Sequence, residues 1–349
     1  MQCYVFVLAL WAATTAAESL PSVRAVRLPN NPIITSAMLP GEDGANINGP
    51  SMIRVPDWVR NPLGRYYLFF AHHNGKYIRL AYADQPQGPW RIRPGGVLNL
   101  QDQRALRGHV ASPEAVVDTK NRQVFLFYHG RVGMGTQSEE EESAQQSSVA
   151  VSTDALHFRP LNLHVGPAYL RIFEHGEVWY GLTGRGALFS AGSLGVRFEP
   201  VRQVIGPDIL AMLDPAERGE AGAKTDRPVR GPERYSIRHS GIDRMGEWLV
   251  IYFTCVGHRP ERIFATFVNL KGAPETWQAR GAAEVLRPEM DWEGAKLPLQ
   301  YSKGGRAVTR ENGLRDPAVY REHDKAWLLY STAGEHGIAI AELHYGTER

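Results

Sequence analysis

Arg315-Asp316-Pro317-Ala318-Val319-Tyr320-Arg321, followed by Lys325-Ala326-Trp327-Leu328-Leu329-Tyr330-Ser331-Thr332, is the clearest copy of a pattern that recurs through the chain. A turn-forming step before Pro opens an apolar stretch, a charged turn follows, and a second apolar run ends in small or polar residues. Three other copies carry the proline: Asn48-Gly-Pro-Ser-Met-Ile-Arg with Arg65-Tyr-Tyr-Leu-Phe-Phe-Ala-His-His, Ala111-Ser-Pro-Glu-Ala-Val-Val-Asp with Gln123-Val-Phe-Leu-Phe-Tyr-His-Gly, and Val165-Gly-Pro-Ala-Tyr-Leu-Arg with Glu177-Val-Trp-Tyr-Gly-Leu-Thr. His239-Ser-Gly-Ile-Asp-Arg with Glu247-Trp-Leu-Val-Ile-Tyr-Phe-Thr lacks the proline and is the weakest copy. A third short strand often follows, as in Ile78-Arg-Leu-Ala-Tyr-Ala and Ile338-Ala-Ile-Ala-Glu. Each unit is thus an antiparallel meander, the construction of a propeller blade.

The pattern predicts an all-β, five-bladed β-propeller as a single domain over residues 24–349. Its blades fall near 48–92, 111–161, 165–201, 238–280 and 314–344. Five units in roughly 320 residues leave about 64 each, more than the 40–50 of a compact blade, so inserted loops take up the rest. They are expected at Val132–Ser147, with its Glu139–Glu142 run, at Gly206–Tyr235 and at Gly281–Gly313. Arg24 to Met38 is expected to supply the strand that closes the ring, because an open propeller leaves unpaired edges.

Composition agrees. The chain has 349 residues, 43% apolar and 22% charged, which excludes disorder and fibre. Gly 35, Pro 23 and 10% aromatic residues favour many turns between strands. A net charge of +2 offers no polyelectrolyte argument for nucleic acid. Val5 to Ala13 is an apolar run followed by Thr-Thr-Ala-Ala-Glu, which reads as a signal peptide over residues 1–17 and export to the periplasm or the extracellular space. The run falls short of the roughly 20 residues of a membrane span. Cys3 would leave with that segment, and Cys255, after Trp248-Leu-Val-Ile-Tyr-Phe-Thr, reads as a small buried residue.

In its Asp-Pro step at Asp316-Pro317 and in the string Asn48-Gly-Pro-Ser-Met-Ile-Arg-Val-Pro-Asp-Trp-Val, the chain resembles the five-bladed β-propeller glycoside hydrolases of families 43, 32, 62 and 117. It is most similar to an uncharacterised family-43-like group. The resemblance implies a carbohydrate substrate, an oligosaccharide or polysaccharide of plant or microbial origin, cleaved by acid–base chemistry in the central funnel. Family 43 carries Asp before Pro in blades one and two, and Glu two residues before Pro in blade three. Here Gly49, Ser112 and Val165 stand there, so the family's carboxylates do not transfer. Either they have moved, or His takes the acid role as in the similar family 117 enzymes, or the site does no hydrolysis.

Starts of first strands and ends of second strands must converge on one rim, since the two are antiparallel. Those positions hold Asn48, His72, His73, Ser112, Glu114, His129, Arg131, His164, Arg185, Arg238, His239, His258, Arg315, Asp316, Glu335 and His336. Seven of the 12 His residues are among them. Glycoside hydrolysis uses two carboxyl groups, and the candidates are Asp316 as base, Glu114 as proton donor, and Glu335. The remaining candidates, Asn48, His72, His73, His129, Arg131, His164, Arg185, Arg238, His239 and Arg315, are expected to bind substrate. Arg and His in a funnel also suit a uronate lyase, and the missing triad suits a sugar-binding propeller without chemistry. No cofactor is required. A divalent cation such as calcium in the channel is compatible with His beside carboxylates.

Overall fold

The computed structural model describes residues 19–132, 145–213 and 236–347. The proposed signal segment 1–17, Cys3 and the Glu139–Glu142 run lie outside them. Of the described residues 54% are in strands and 8% in helices, so the fold is all-β as expected. Two short strands come first, β1 (Pro21–Arg27) and β2 (Ile34–Thr35). Blade one is β3 (Asn48–Arg54), β4 (Tyr66–Ala71), β5 (Tyr77–Ala83) and β6 (Arg91–Asn99). Blade two is β7 (Arg107–Asp118), β8 (Gln123–Arg131), β9 (Gln145–Ser152) and β10 (Arg159–Pro167). Blade three is β11 (Arg171–His175), β12 (Val178–Leu182), β13 (Ala187–Ala191) and β14 (Glu199–Gln203). Blade four is β15 (Ser236–Met245), β16 (Trp248–Val256), β17 (Ile263–Asn269) and β18 (Ala279–Leu286). Blade five is β19 (Arg315–Glu322), β20 (Lys325–Ser331) and β21 (Gly337–Thr347), with β1 as its outermost strand.

The ring closes through β1, which pairs antiparallel with β21 from Pro21↔Thr347 to Arg27↔Ala341. The closing strand therefore begins a little before the expected Arg24. Two features of the blades differ from the sequence reading. Each blade has a fourth, outer strand, which sequence patterning missed because strands such as Arg91–Asn99 are mostly exposed and only weakly apolar. Val165-Gly-Pro also ends the outer strand of blade two, and the inner strand of blade three starts later, at Arg171.

Alternation along the second strand explains the stacking of blades. In β4, Tyr67 and Phe69 pack towards blade two with Leu126 and Tyr128. Leu68 and Phe70 pack towards blade five with Leu329 and Ile340. Three further clusters fill the other interfaces between successive blades. Cys255 lies in one of them, fully buried between blades three and four. Among the described residues no helix is long and apolar enough to cross a membrane.

Candidate functional site

Four inner strands share an irregularity at one end. The pairing slips between Asn48 and Ser51, between Ala111 and Glu114, between Ile237 and Ser240, and between Arg315 and Ala318. A bulge of this kind re-aims the extra side chain. Those residues are Gly49, Ser112, His239 and Asp316, each next to the predicted strand start. Gly49, Ser112 and Asp316 have φ of +61°, +43° and +50°. A Cβ on Gly49 would come within 2.8 Å of Ser112 Cα, so the inner strands meet tightly here. Tyr169, just ahead of β11, has φ +63°. Left-handed backbone costs a non-glycine residue about 1–3 kcal/mol and marks sites where geometry serves function.

Tyr169 hydrogen-bonds to Ser112 and feels the charge of Asp316. The Tyr169 ring lies between His129 and His239, with centroid separations of 4.0 and 4.5 Å. His239 Nδ1 is 2.5 Å from Asp316 Oδ1, close enough for an ion pair though off the angle of an ideal hydrogen bond. Ser331 Oγ donates to Asp316 Oδ2 at 2.9 Å. Burial alone would raise the Asp316 carboxyl, but His239 outweighs it and keeps the group below its ordinary range. Burial, with the charges of Asp316 and Glu335, pushes the Tyr169 hydroxyl up, so it stays protonated.

A second buried system lies beside this one. Glu335 accepts from Asn46 Nδ2 at 2.6 Å and lies 3.3 Å from both His73 Nδ1 and Arg315 Nη1. Burial opposes its charge, but the bond to His73 and the nearby Arg315 outweigh that and hold it ionised. Arg315 also donates to Glu261 Oε2 at 3.0 Å and Glu311 Oε2 at 2.7 Å. Glu261 binds Arg238 Nε at 2.7 Å as well.

A cavity of about 710 Å³ opens over His239 between blades three and four. His73, Tyr169, Arg185, Arg238 and His239 are on its wall, with Gly304 and Gly305 from the loop after blade four. Arg238 is tied to that loop, donating to the carbonyls of Lys303 and of Gly305.

The remaining expected residues are placed as follows. His129 and Asn48 are buried at the centre, with His129 Nδ1 and Asn48 Oδ1 unpartnered. His72 is turned to the backbone N–H of Asn74, and Arg131 is exposed at the rim. Arg185 is exposed and on the cavity wall. His164 sits apart on β10, its Nε2 2.8 Å from Ala105 O. His336 contacts Ala333 O, and His258 is fully buried against Phe264. Glu114 accepts from Arg171 Nη1 at 2.6 Å and is not on the cavity wall. Arg315 is 1% exposed, with every guanidinium nitrogen committed to a carboxylate, so it holds Glu261, Glu311 and Glu335 together behind the cavity. Reasoning from sequence missed Tyr169, His109, which packs edge-on to His129, and Glu261. Among the described residues no three His, Cys, Asp or Glu side chains gather to hold a metal ion.

The buried histidines make the fold acid-sensitive. Burial lowers His72 and His109 to about 4, helped by Arg79 and Arg306 at His72 and by His73 and Arg131 at His109. From pH 6.5 down to about 4 the unfolded chain takes up protons that these folded rings refuse. Unfolding free energy should therefore rise with pH across that window. Urea titrations at fixed ionic strength check this, and a flat profile would contradict it.

No protein-family model matches the chain. An uncharacterized protein of Acanthamoeba polyphaga mimivirus is 33% identical over 341 residues, covering 91% of this chain and 90% of the viral one. The chain belongs to that protein's family. Its fold is the five-bladed propeller of the family 43 glycoside hydrolases. A family 43 enzyme from Xanthomonas citri complexed with xylose superposes with TM-score 0.54 at 12% identity, over 87% of this chain and 88% of that one. A β-xylosidase/α-arabinofuranosidase from a compost metagenome, in complex with xylotriose, gives 0.55 at 12% identity over 88% and 93%. A putative glycoside hydrolase from Parabacteroides distasonis gives 0.55 at 11% over 91% and 95%.

Proposed function

We propose that the protein is a glycoside hydrolase-like enzyme that cleaves a glycosidic bond in the cavity over His239. The observation that carries this reading is the contact of His239, on the wall of that cavity, with the buried Asp316 carboxylate behind it through Nδ1. A carboxylate at Nδ1 fixes the proton there and leaves Nε2 to give or take one. Asp316 then acts through His239 as a positioning residue. In hydrolysis the bond from the anomeric carbon to the leaving oxygen breaks as the doubly protonated imidazole passes its Nε2 proton to that oxygen, and water adds at the carbon and returns its own proton to Nε2. Positive charge builds on the sugar ring as the bond breaks, and the buried charges of Asp316 and Glu335 below the cavity oppose its cost. Tyr169, packed against His239 with its ring tilted, limits the movement of the imidazole. The sugars in the structural neighbours, xylose and xylotriose, support a carbohydrate substrate. Export through the 1–17 segment belongs to the same proposal, and the secreted protein would begin near Glu18.

A glycan panel read for new reducing ends and for ultraviolet-absorbing unsaturated products tests the reaction. New reducing ends without absorbance are expected. Absorbing products would replace hydrolysis by elimination, and binding without either signal would leave a sugar-binding propeller.

A further inference from the structure

Two imidazoles on the cavity wall are built alike. His239 meets the buried Asp316 carboxylate through Nδ1, and His73 meets the buried Glu335 carboxylate through Nδ1. His239 moves protons, whereas His73 has no part in that step. Glu335 is held on every side. Its Oε2 accepts from Asn46 Nδ2 at 2.6 Å and from the Ala307 N–H at 3.3 Å, and its Oε1 faces Arg315 Nη1 at 3.3 Å. A carboxylate held ionised can only accept, so the proton shared with His73 belongs to Nδ1. The neutral ring then carries its lone pair on Nε2. No described residue hydrogen-bonds that nitrogen, and the side chain is 22% exposed.

The His73 ring is fixed from behind. Asn46, 1% exposed, accepts the His73 backbone N–H on Oδ1 at 2.8 Å, while its Nδ2 holds Glu335. One buried amide therefore sets both the backbone and the carboxylate partner of this imidazole. An acceptor so preorganised loses little freedom when a ligand meets it. Asp316 feels the charge of Glu335, and Tyr169 feels the charge of both. The two His–carboxylate pairs thus address one part of the cavity.

Resting on the hydrolase reading above, we propose that His73 Nε2 accepts the 2-hydroxyl of the sugar whose glycosidic bond His239 breaks. That hydroxyl stands on the carbon beside the anomeric carbon, so it is the ring hydroxyl nearest the reacting bond. Positive charge on the sugar ring makes it a better donor, and its hydrogen bond strengthens as the glycosidic bond breaks. The hydroxyl keeps its proton throughout. His73 thereby selects sugars with a free 2-hydroxyl against 2-deoxy sugars and sugars substituted at that oxygen.

The test pairs 4-nitrophenyl xylosides, arabinofuranosides, glucosides and galactosides with their 2-deoxy counterparts, using the full-length protein. Wild type and His73→Leu are compared on each pair, so the greater intrinsic lability of 2-deoxy glycosides cancels. On the hydroxyl-bearing glycoside His73→Leu should lose about 10- to 100-fold in kcat/KM, mostly in kcat. On the 2-deoxy counterpart the loss should stay within about threefold. His73→Gln should recover part of the activity, because its amide can donate to Glu335 and accept from the sugar. Equal losses on both members of each pair would show a merely structural role, overturning this inference and leaving the hydrolase reading standing. Binding of xylose, arabinose, glucose and galactose, and of their 2-deoxy forms, is read in parallel by ligand-observed nuclear magnetic resonance. The 2-hydroxyl should tighten binding about 2- to 10-fold in wild type and not in His73→Leu. That pattern without cleavage of any glycoside would support this inference and sink the hydrolase reading. No cleavage, with no binding or with binding indifferent to the 2-hydroxyl, would overturn both.

Discussion

Asp316→Asn should fold normally and lose on the order of 10³-fold in turnover, within the range for a lost general acid–base or for removing the carboxylate behind a catalytic imidazole. The substitution keeps volume, and the amide oxygen can still accept from Ser331 Oγ. It removes the charge that meets His239 Nδ1 at 2.5 Å. The amide can then offer an N–H to Nδ1, which disfavours the doubly protonated imidazole that gives its proton from Nε2. Because Asp316 acts through His239, the two residues form one unit and their effects should not add. His239→Ala should lose a similar factor, and the double variant should be little worse than either. A shift in the pH limb of kcat/KM in Asp316→Asn distinguishes this role from a merely structural one. Wild-type turnover in a folded Asp316→Asn would show the assignment to be wrong.

Arg315→Met should cost stability more than any other single change at the centre, about 3–5 kcal/mol, the range for breaking a buried ion pair by removing one partner. Burial by itself disfavours the guanidinium, but Glu261, Glu335 and Glu311 outweigh that and raise its pKa further. Met fills the volume and leaves those carboxylates facing one another without their shared cation. Glu261 keeps Arg238, and Glu335 keeps Asn46 and His73, so the loss falls short of complete unfolding. Chemical denaturation measures it directly. A change below about 1 kcal/mol would place this pair in the class of weak surface bridges and contradict the network described here.

The blades were legible because each is local: two apolar runs and a charged turn, opened by a Pro step in blades one, two and five, lie within one stretch of chain. Antiparallel pairing then brought the expected rim residues together, as in Asn48↔Ala71, Ala111↔His129 and Arg315↔Ser331. Blade three misled because Val165-Gly-Pro resembles Asn48-Gly-Pro, although it ends an outer strand. The arginines misled for a different reason. Arg315 reads as a binding group but is buried, and both it and Arg238, which stays on the cavity wall, are bound to Glu261, which stands in a loop outside the repeat pattern and gave no signal of its own. Tyr169 was missed because left-handed backbone at a bulky aromatic runs against local preference. It persists here where the rings of His129 and His239 pack against it, with centroids 4.0 and 4.5 Å away.

A crystal structure of Asp316→Asn soaked with an oligosaccharide that the wild type cleaves tests the central claim most directly. The account predicts a sugar in the cavity between blades three and four, its glycosidic oxygen about 2.6–3.2 Å from His239 Nε2. A sugar bound elsewhere, such as the groove between blades two and three beside Trp179, with His239 untouched, would contradict it.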